Sequence, residues 1–332
     1  MAKMDPAHRR TDEELERLER RIARVYREAR NDLQETIDAY FERFRERDEK
    51  MKALIGTEVN GKVWTEQDYT FWRLNQIGRG ERYQVLREKI AERMTRANEV
   101  ALAYVNDATP GIYTLNRNYA AYTIERVAGN VGFTLWDESA VKRLIKDEPD
   151  LMPYYPKKKA LKRGIDLKWG KKQITKSVTS GLLQGKSVGK IATDLQARVS
   201  EMNRASAVRA ARTAVTGAQN GGRMDSYKAA RQKGIELKKE WMATLDGRTR
   251  HSHRRLDGEV VDYNEEFSNG CRYPGDPGGK PGETYNCRCT LVARVKGVDT
   301  SEALRRGRDG VLPNMTFAQW EKQKRGEGYL QE

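Results

Sequence analysis

TDEELERLERRIARVYREARNDLQETIDAYFERF, residues 11–44, decides the fold class. Leu15, Leu18, Ile22, Val25, Ala29, Leu33, Ile37, Tyr40 and Phe44 recur every three or four residues, which lays one apolar stripe along a helix otherwise covered in Glu and Arg. Thr11 with Glu14 three residues later has the form of a capping box, so the helix is expected to begin there. At 1.5 Å per residue it is about 60 Å long, and it reads as one arm of a helical hairpin rather than part of an intermolecular coiled coil.

Outward from this helix, GTEVNGK at 56–62 breaks the period with two glycines and an asparagine, and a second helix is expected from about Thr65, carrying Tyr69, Trp72, Leu74 and Ile77. Leu86, Ile90, Met94, Ala97, Ala101 and Val105 restore the helical period over 82–106. Pro110 and Gly111 of ATPGIY (108–113) are expected to end that helix. Further helix is expected over 116–129 and 138–147. Two short helices joined at LQGKS are expected within 173–199, and more helix at 205–218 and around Tyr227, stopping at Gly234. Gly185-Lys186-Ser187 is not a phosphate loop: three residues separate Gly181 from Gly185 where four are needed, and no strand precedes them.

The totals agree with a helical reading. Of 332 residues, 33% are charged and only 37% hydrophobic, a balance that favours long solvated helices and an elongated shape. Sixty-three basic against 48 acidic residues leave a net charge of +15, enough to attract a polyanion or an acidic protein face. No apolar run approaches the roughly 18 residues that cross a bilayer, and MAKMDPAHRRTDEELE lacks the apolar core of a signal peptide, so a cytosol-like compartment is expected. Three cysteines, an odd number, argue against a disulfide scaffold and toward thiols that are buried or bind metal.

The basic charge is concentrated. Between Tyr154 and Lys172, the eight residues Lys157, Lys158, Lys159, Lys162, Arg163, Lys168, Lys171 and Lys172 oppose only Asp166, with Tyr154, Tyr155 and Trp169 interleaved. Lysines that meet phosphates beside aromatics that stack on bases form a non-specific nucleic-acid surface; a solvated loop has the same composition.

From Ile235 and Leu237 toward Trp241 the period changes to that of a strand, and 237–298 is rich in turns: LDG, SNG, YPGDPGGKPGE, then the alternating CRCTLVARV. So small a unit has little room for a core and calls for a staple. DGRTRHSHRRLDG (246–258) holds His251 and His253, which share a side if the segment is extended, as do Cys287 and Cys289. With Cys271 they offer the nitrogens and thiolates of a structural zinc site. Buried reduced thiols beside a hydrogen-bonded histidine are the second reading, and a metal-dependent phosphodiesterase built on a His with Asp246 or Asp257 is the third. Neither HExxH nor a recognisable HNH signature supports the last. Arg250 is expected to pair with Asp246 or Asp257. The fold class is thus mainly α: a helical region over 1–150, a basic linker and helical segment over 151–236, a compact α+β domain over 237–298 and a charged tail over 299–332.

ARTAVTGAQNGGR at 211–223, the W-x-A-T-x-D-x-R-T-R-x-x-H-x-x-L-D-G run from Trp241, YPGDP at 273–277 and NCRC at 286–289 together resemble the phage head morphogenesis, or Mu-F-type minor capsid, family. The match rests on Trp241, Asp246, Arg248, Thr249, Arg250, His253, Leu256, Asp257, Gly258, Asn286, Cys287, Arg288 and Cys289, and covers roughly residues 170–298. The resemblance implies a minor structural protein of a tailed-phage head, made in the host cytoplasm and ending inside the virion. It also implies the portal and other head proteins as partners, contact with packaged DNA, and a role in assembly and in DNA packaging, retention or ejection. Some relatives carry a toxin or enzyme domain after this motif; here a charged tail follows, and no such activity is expected. A metal-dependent nuclease and a free-standing, non-specific DNA-binding protein are the alternatives.

Overall fold

The computed structural model describes residues 6–128, 132–147, 167–244, 246–297, 305–307 and 310–312. The chain is mainly α. Helices α1 (Pro6–Glu42), α2 (Arg45–Ala53), α3 (Glu66–Gln76), α4 (Glu81–Ala128), α5 (Glu138–Asp147), α6 (Leu167–Leu183) and α7 (Val188–Gln232) precede the strands β3 (Leu237–Met242), β4 (Val260–Asp262) and β5 (Thr290–Val295). Short helices α8 (His251–Arg255) and α9 (Pro281–Thr284) interrupt the sheet region; a hairpin of β1 (Glu58–Val59) and β2 (Lys62–Val63) falls between α2 and α3, and β6 (Arg305–Gly307) pairs with β7 (Gly310–Leu312). No described helix is long and apolar enough to cross a membrane.

Two compact units divide the chain: residues 20–103 with 156–208, and residues 1–19 with 104–155 and 209–332. In the first, the stripe of α1 is buried at Ile22, Val25, Ala29, Leu33, Ile37 and Tyr40, as are Leu86, Ile90, Met94, Ala97 and Ala101 of α4 and Ile174, Val178 and Leu182 of α6. Tyr26 OH donates to Asn98 Oδ1 at 2.6 Å within this core. The turn at Asn60-Gly61, both at positive φ, closes the β1–β2 hairpin. Thr65, about where the second helix was expected to start, caps α3 in a capping box with Asp68. Gly185, at φ 67°, sits at the joint between α6 and α7.

Three expectations are corrected here. Helix α1 begins at Pro6, and Thr11 is no cap: it is buried, donates to Ala7 O at 2.7 Å and accepts from Asn116 Nδ2 at 2.9 Å, so a tertiary partner takes the hydroxyl. Pro110 does not end a helix; α4 runs through it for 48 residues. A proline removes one amide and crowds one carbonyl, and burial of Val105, Ile112, Tyr113, Ala120 and Ile124 on either side outweighs that cost. The separate helices expected between 188 and 232 are one helix of 45 residues, with Gly234 at φ 83° just past its end.

In the second unit β3 is the centre of an antiparallel sheet of order β4-β3-β5. Its core joins Trp241, Leu256, Phe267, Cys271 and Leu291 to Ala120 and Ile124 of α4 and Tyr227 and Ala230 of α7, so long helices complete the core that the turn-rich segment lacks. Glycines permit the approach: a Cβ on Gly222 would lie 2.4 Å from Tyr113 O, and one on Gly275, at φ 78°, would lie 2.8 Å from Gly217 N.

Candidate functional site

The Cys-x-Cys strand entry is fixed from α7. Thr216 Oγ1 donates to Cys287 O at 2.6 Å, Asn220 Nδ2 donates to Cys289 O at 3.1 Å and to Pro274 O at 3.0 Å, and Asn220 Oδ1 accepts from Leu291 N at 2.8 Å. Asn286, just before the pair, is held at φ 56° by its own amide donating to Thr213 Oγ1 at 2.9 Å. A side chain anchored at both neighbouring carbonyls has little freedom, so the two sulfurs are positioned before anything binds them.

The imidazole that meets them comes from α8. His251 and His253 do not lie along a strand; they sit in a short helix, with His251 exposed and His253 buried. Trp241, fully buried, packs edge-on to the His253 ring at 5.2 Å and to Phe267 at 5.2 Å. His253 Nδ1 stands 3.4 Å from Cys289 Sγ and 3.7 Å from Cys287 Sγ, and the Cys289 amide donates to Cys287 Sγ at 3.4 Å. The other ring nitrogen, Nε2, lies 3.1 Å from Glu283 Oε2.

His253, Cys287 and Cys289 therefore form one buried group, with ligand atoms within 4.8 Å of one another. Two of the five residues expected there lie elsewhere. His251 faces solvent, and Cys271 is buried against Gly279, whose absent Cβ would stand 2.6 Å from its sulfur. All three thiols are free. Burial pushes the Cys271 thiol up to about 12 and the Cys287 thiol well above its usual range. The hydrogen bond from Cys287, with help from the His253 ring, pulls Cys289 well below it.

The remaining motif residues brace this group. Arg288 makes a two-pronged pair with Asp246, and Asp246 also accepts from the Arg248 amide at 3.0 Å. Burial alone would raise the Asp246 carboxyl, but the Arg288 guanidinium outweighs it and holds the group below the usual range. Arg250 does not pair with either aspartate; its guanidinium donates to Tyr285 O, because Arg288 already occupies Asp246 and Asp257 Oδ1 accepts from the Ala243 amide at 2.9 Å. Gly258, at φ 83°, donates to Trp241 O at 2.9 Å. A cavity of about 320 Å³ opens beside the group, bounded by Asp12, Glu16, Glu19, Arg212, Arg248 and Arg288 as well as by His253, Cys287 and Cys289.

Of the basic cluster, Lys157, Lys158, Lys159, Lys162 and Arg163 lie outside the described residues. Lys168 and Lys172 are exposed on α6, whereas Lys171 pairs with Glu88. Asn220 and Glu283 were not singled out as site residues; their partners lie far away in sequence, and no local spacing marks them.

Residues 172–292 match the model of a family described as Phage Mu protein F like protein. The chain is 29% identical over 247 residues to Minor head protein GP7 of Bacillus phage SPP1, a match covering 71% of this chain and 77% of that protein. It is 36% identical over 127 residues to NAD(+)--arginine ADP-ribosyltransferase EFV of Enterococcus faecalis (strain ATCC 700802 / V583), covering 38% of this chain and 26% of that enzyme. No solved structure matches the chain.

Proposed function

Through residues 172–292 the chain belongs to the Phage Mu protein F like family, and from that premise we propose that it is a minor structural protein of a tailed-phage head, acting at the portal inside the procapsid. Its part in head morphogenesis follows from the likeness to GP7. The observation that carries the reading is the reach of that likeness, which takes in about three quarters of both proteins and so extends well beyond the family segment. The likeness to the ADP-ribosyltransferase takes in about a quarter of that enzyme, as expected of a module shared with a larger protein, and its activity is not carried over.

In this reading the protein is not an enzyme; the bonds from α7 and the Asp246–Arg288 pair hold a scaffold. The net charge of +15 favours sequence-independent contact with packaged DNA. With about six phosphates neutralised, log affinity should fall against log salt with a slope near −5; a slope near zero would remove DNA from the partners. Plasmid incubated with the protein and Mg²⁺ or Zn²⁺ should stay intact, and cleavage that His253→Ala abolishes would overturn the structural reading in favour of a nuclease. The decisive experiment is deletion of the gene from the phage that encodes it. Mature particles should contain the chain, and deletion should lower the yield of infectious heads. Particles that lack it and assemble with unchanged infectivity in its absence would end the proposal.

A further inference from the structure

We propose that His253 Nδ1, Cys287 Sγ and Cys289 Sγ bind one zinc ion, that Glu283 fixes the imidazole for this task, and that the fourth coordination position opens on the adjacent cavity. The inference does not rest on the role in the phage head.

The first argument is geometric. Zinc bonds of about 2.3 Å to sulfur and about 2.0 Å to nitrogen, set at tetrahedral angles, separate a ligating nitrogen from a ligating sulfur by about 3.5 Å. The two nitrogen-to-sulfur distances here are 3.4 and 3.7 Å. Hydrogen bonding alone explains this poorly: Nδ1 has one lone pair or one proton, yet two sulfurs converge on it. A cation at the centre satisfies both sulfurs and the nitrogen together.

The second argument is the partner of the far nitrogen. Histidines that bind metal through one nitrogen commonly direct the other at a carboxylate, which sets the tautomer and makes the ring a better donor. Glu283 Oε2 stands 3.1 Å from Nε2, at ion-pair distance though off the line of a hydrogen bond, and accepts from Asn269 Nδ2 at 3.3 Å. The third is charge. Two thiolates and a neutral imidazole around a divalent cation sum to zero, which suits a site whose ligands are all buried. Thiolate-rich sites select thiophilic ions, and tetrahedral sulfur and nitrogen ligands select zinc among them.

A structural zinc site is closed by four protein ligands, whereas a site with three keeps a position for water or another ligand. His253, Cys287 and Cys289 all line the 320 Å³ cavity. Asn286 lines it too.

The full-length protein, purified with zinc present and without chelator, is expected to carry one equivalent of zinc by elemental analysis. Cobalt substitution is expected to give thiolate charge-transfer absorption and the intense visible bands of four-coordination. Cys287→Ser, Cys289→Ser and His253→Ala should each leave less than about 0.2 equivalents. Cys271→Ser and His251→Ala should leave the content at one. Glu283→Gln should keep the stoichiometry and weaken zinc affinity about 10–100-fold. Because ligand variants can fail to fold, wild-type protein is also alkylated with and without chelator and the modified thiols are mapped: chelation should speed modification of Cys287 and Cys289 but not of Cys271. Less than about 0.2 equivalents in folded wild-type protein after incubation with zinc, or equal loss of metal in Cys271→Ser, or no effect of chelator on Cys287 and Cys289, each overturns the proposal.

Discussion

The two units are held by different physics. In the unit of residues 20–103 and 156–208 an apolar stripe meets apolar neighbours, and helices pack through Ile22, Ile37, Ile90 and Val178. In the sheet-bearing unit directional bonds are added to the apolar core around Trp241: Asn220, Arg223 and Thr216, all buried on α7, donate to the carbonyls of Cys289, Leu291 and Cys287. Hydrophobic burial is non-directional and tolerates exchange among similar shapes. Buried hydrogen bonds are directional, and each group left without a partner costs about 1–3 kcal/mol. A helical stripe suffices to build a bundle, whereas holding two sulfurs and an imidazole within an ångström or so requires bonds that fix direction.

The strongest test exchanges one residue in each unit. Asn220→Leu keeps the branched outline of the side chain but leaves the Leu291 amide and the Cys289 and Pro274 carbonyls unmatched, and should destabilise the sheet-bearing unit by about 4 kcal/mol. Ile22→Leu, at an equally buried position of the helical unit, should cost less than about 1.5 kcal/mol. Hydrogen exchange read by mass spectrometry assigns each loss to its unit. Equal effects would abolish the contrast.

Next in size is Gly222→Ala. The new methyl meets Tyr113 O and Arg117 N, main-chain atoms of α4 that cannot swing aside, so α4 and α7 must part. The expected cost is about 3 kcal/mol, read as a lower urea midpoint for the sheet-bearing unit. Gly189→Ala, where nothing stands within 4 Å, should be neutral or slightly stabilising and serves as control.

These residues also explain what was legible from sequence. The stripe of α1, the helix start near Thr65, the joint at Gly185, the stop at Gly234 and the strand after it are written in local period and turn chemistry, and all stand where they were expected. Thr11, Pro110 and the histidine pair were misread because distant groups decide them: Asn116 takes the Thr11 hydroxyl, burial carries α4 past Pro110, and α8 turns His251 away from the ring it neighbours in sequence. His253 with Cys287 and Cys289 was legible as chemistry. Its exclusion of Cys271, its partner Glu283 and its anchor Asn220 were not, since a contact across 69 residues leaves no periodic trace.

Acid should separate the units by a smaller margin. Asp276 is buried and accepts from the Arg272 amide and guanidinium and from the Gly278 amide; burial opposes its charge, but these bonds prevail and hold it below the usual carboxylate range, as with Asp246. A carboxyl depressed by folding stabilises the native state above its unfolded value, and this is lost as pH falls through the folded one. The helical unit's depressed carboxyls, Asp68 and Asp194, are held by lysines at the surface, where solvent screens the gain. Below about pH 4 the sheet-bearing unit should therefore open first. Asp276→Asn should cost about 2 kcal/mol at pH 7 and flatten its acid limb.

The smallest expected effect lies at the other end of the pH scale, at Lys239 in the centre of the sheet. Its ammonium is fully buried, donates to Arg272 O at 2.7 Å and lies 5.2 Å from the centre of the Phe267 ring. Burial lowers its pKa to about 8, with the Arg272 charge acting in the same direction. Between that value and the ordinary one for lysine, the unfolded chain binds more protons than the folded one, so this residue's contribution to stability rises with pH. Tyr263 and Cys271, whose pKa values are raised by burial, pull the other way above their unfolded values, so the raw profile mixes opposite slopes. Lys239→Met keeps the length of the side chain and removes only the titrating group. Wild-type stability relative to this variant should climb by about 1 kcal/mol from pH 8 to pH 10 and stay level from pH 6 to pH 7.5. A flat difference across both ranges would mean that the ammonium is as well solvated in the folded sheet as in the open chain, and the polar character assigned to this unit would then stop at its helix-facing side.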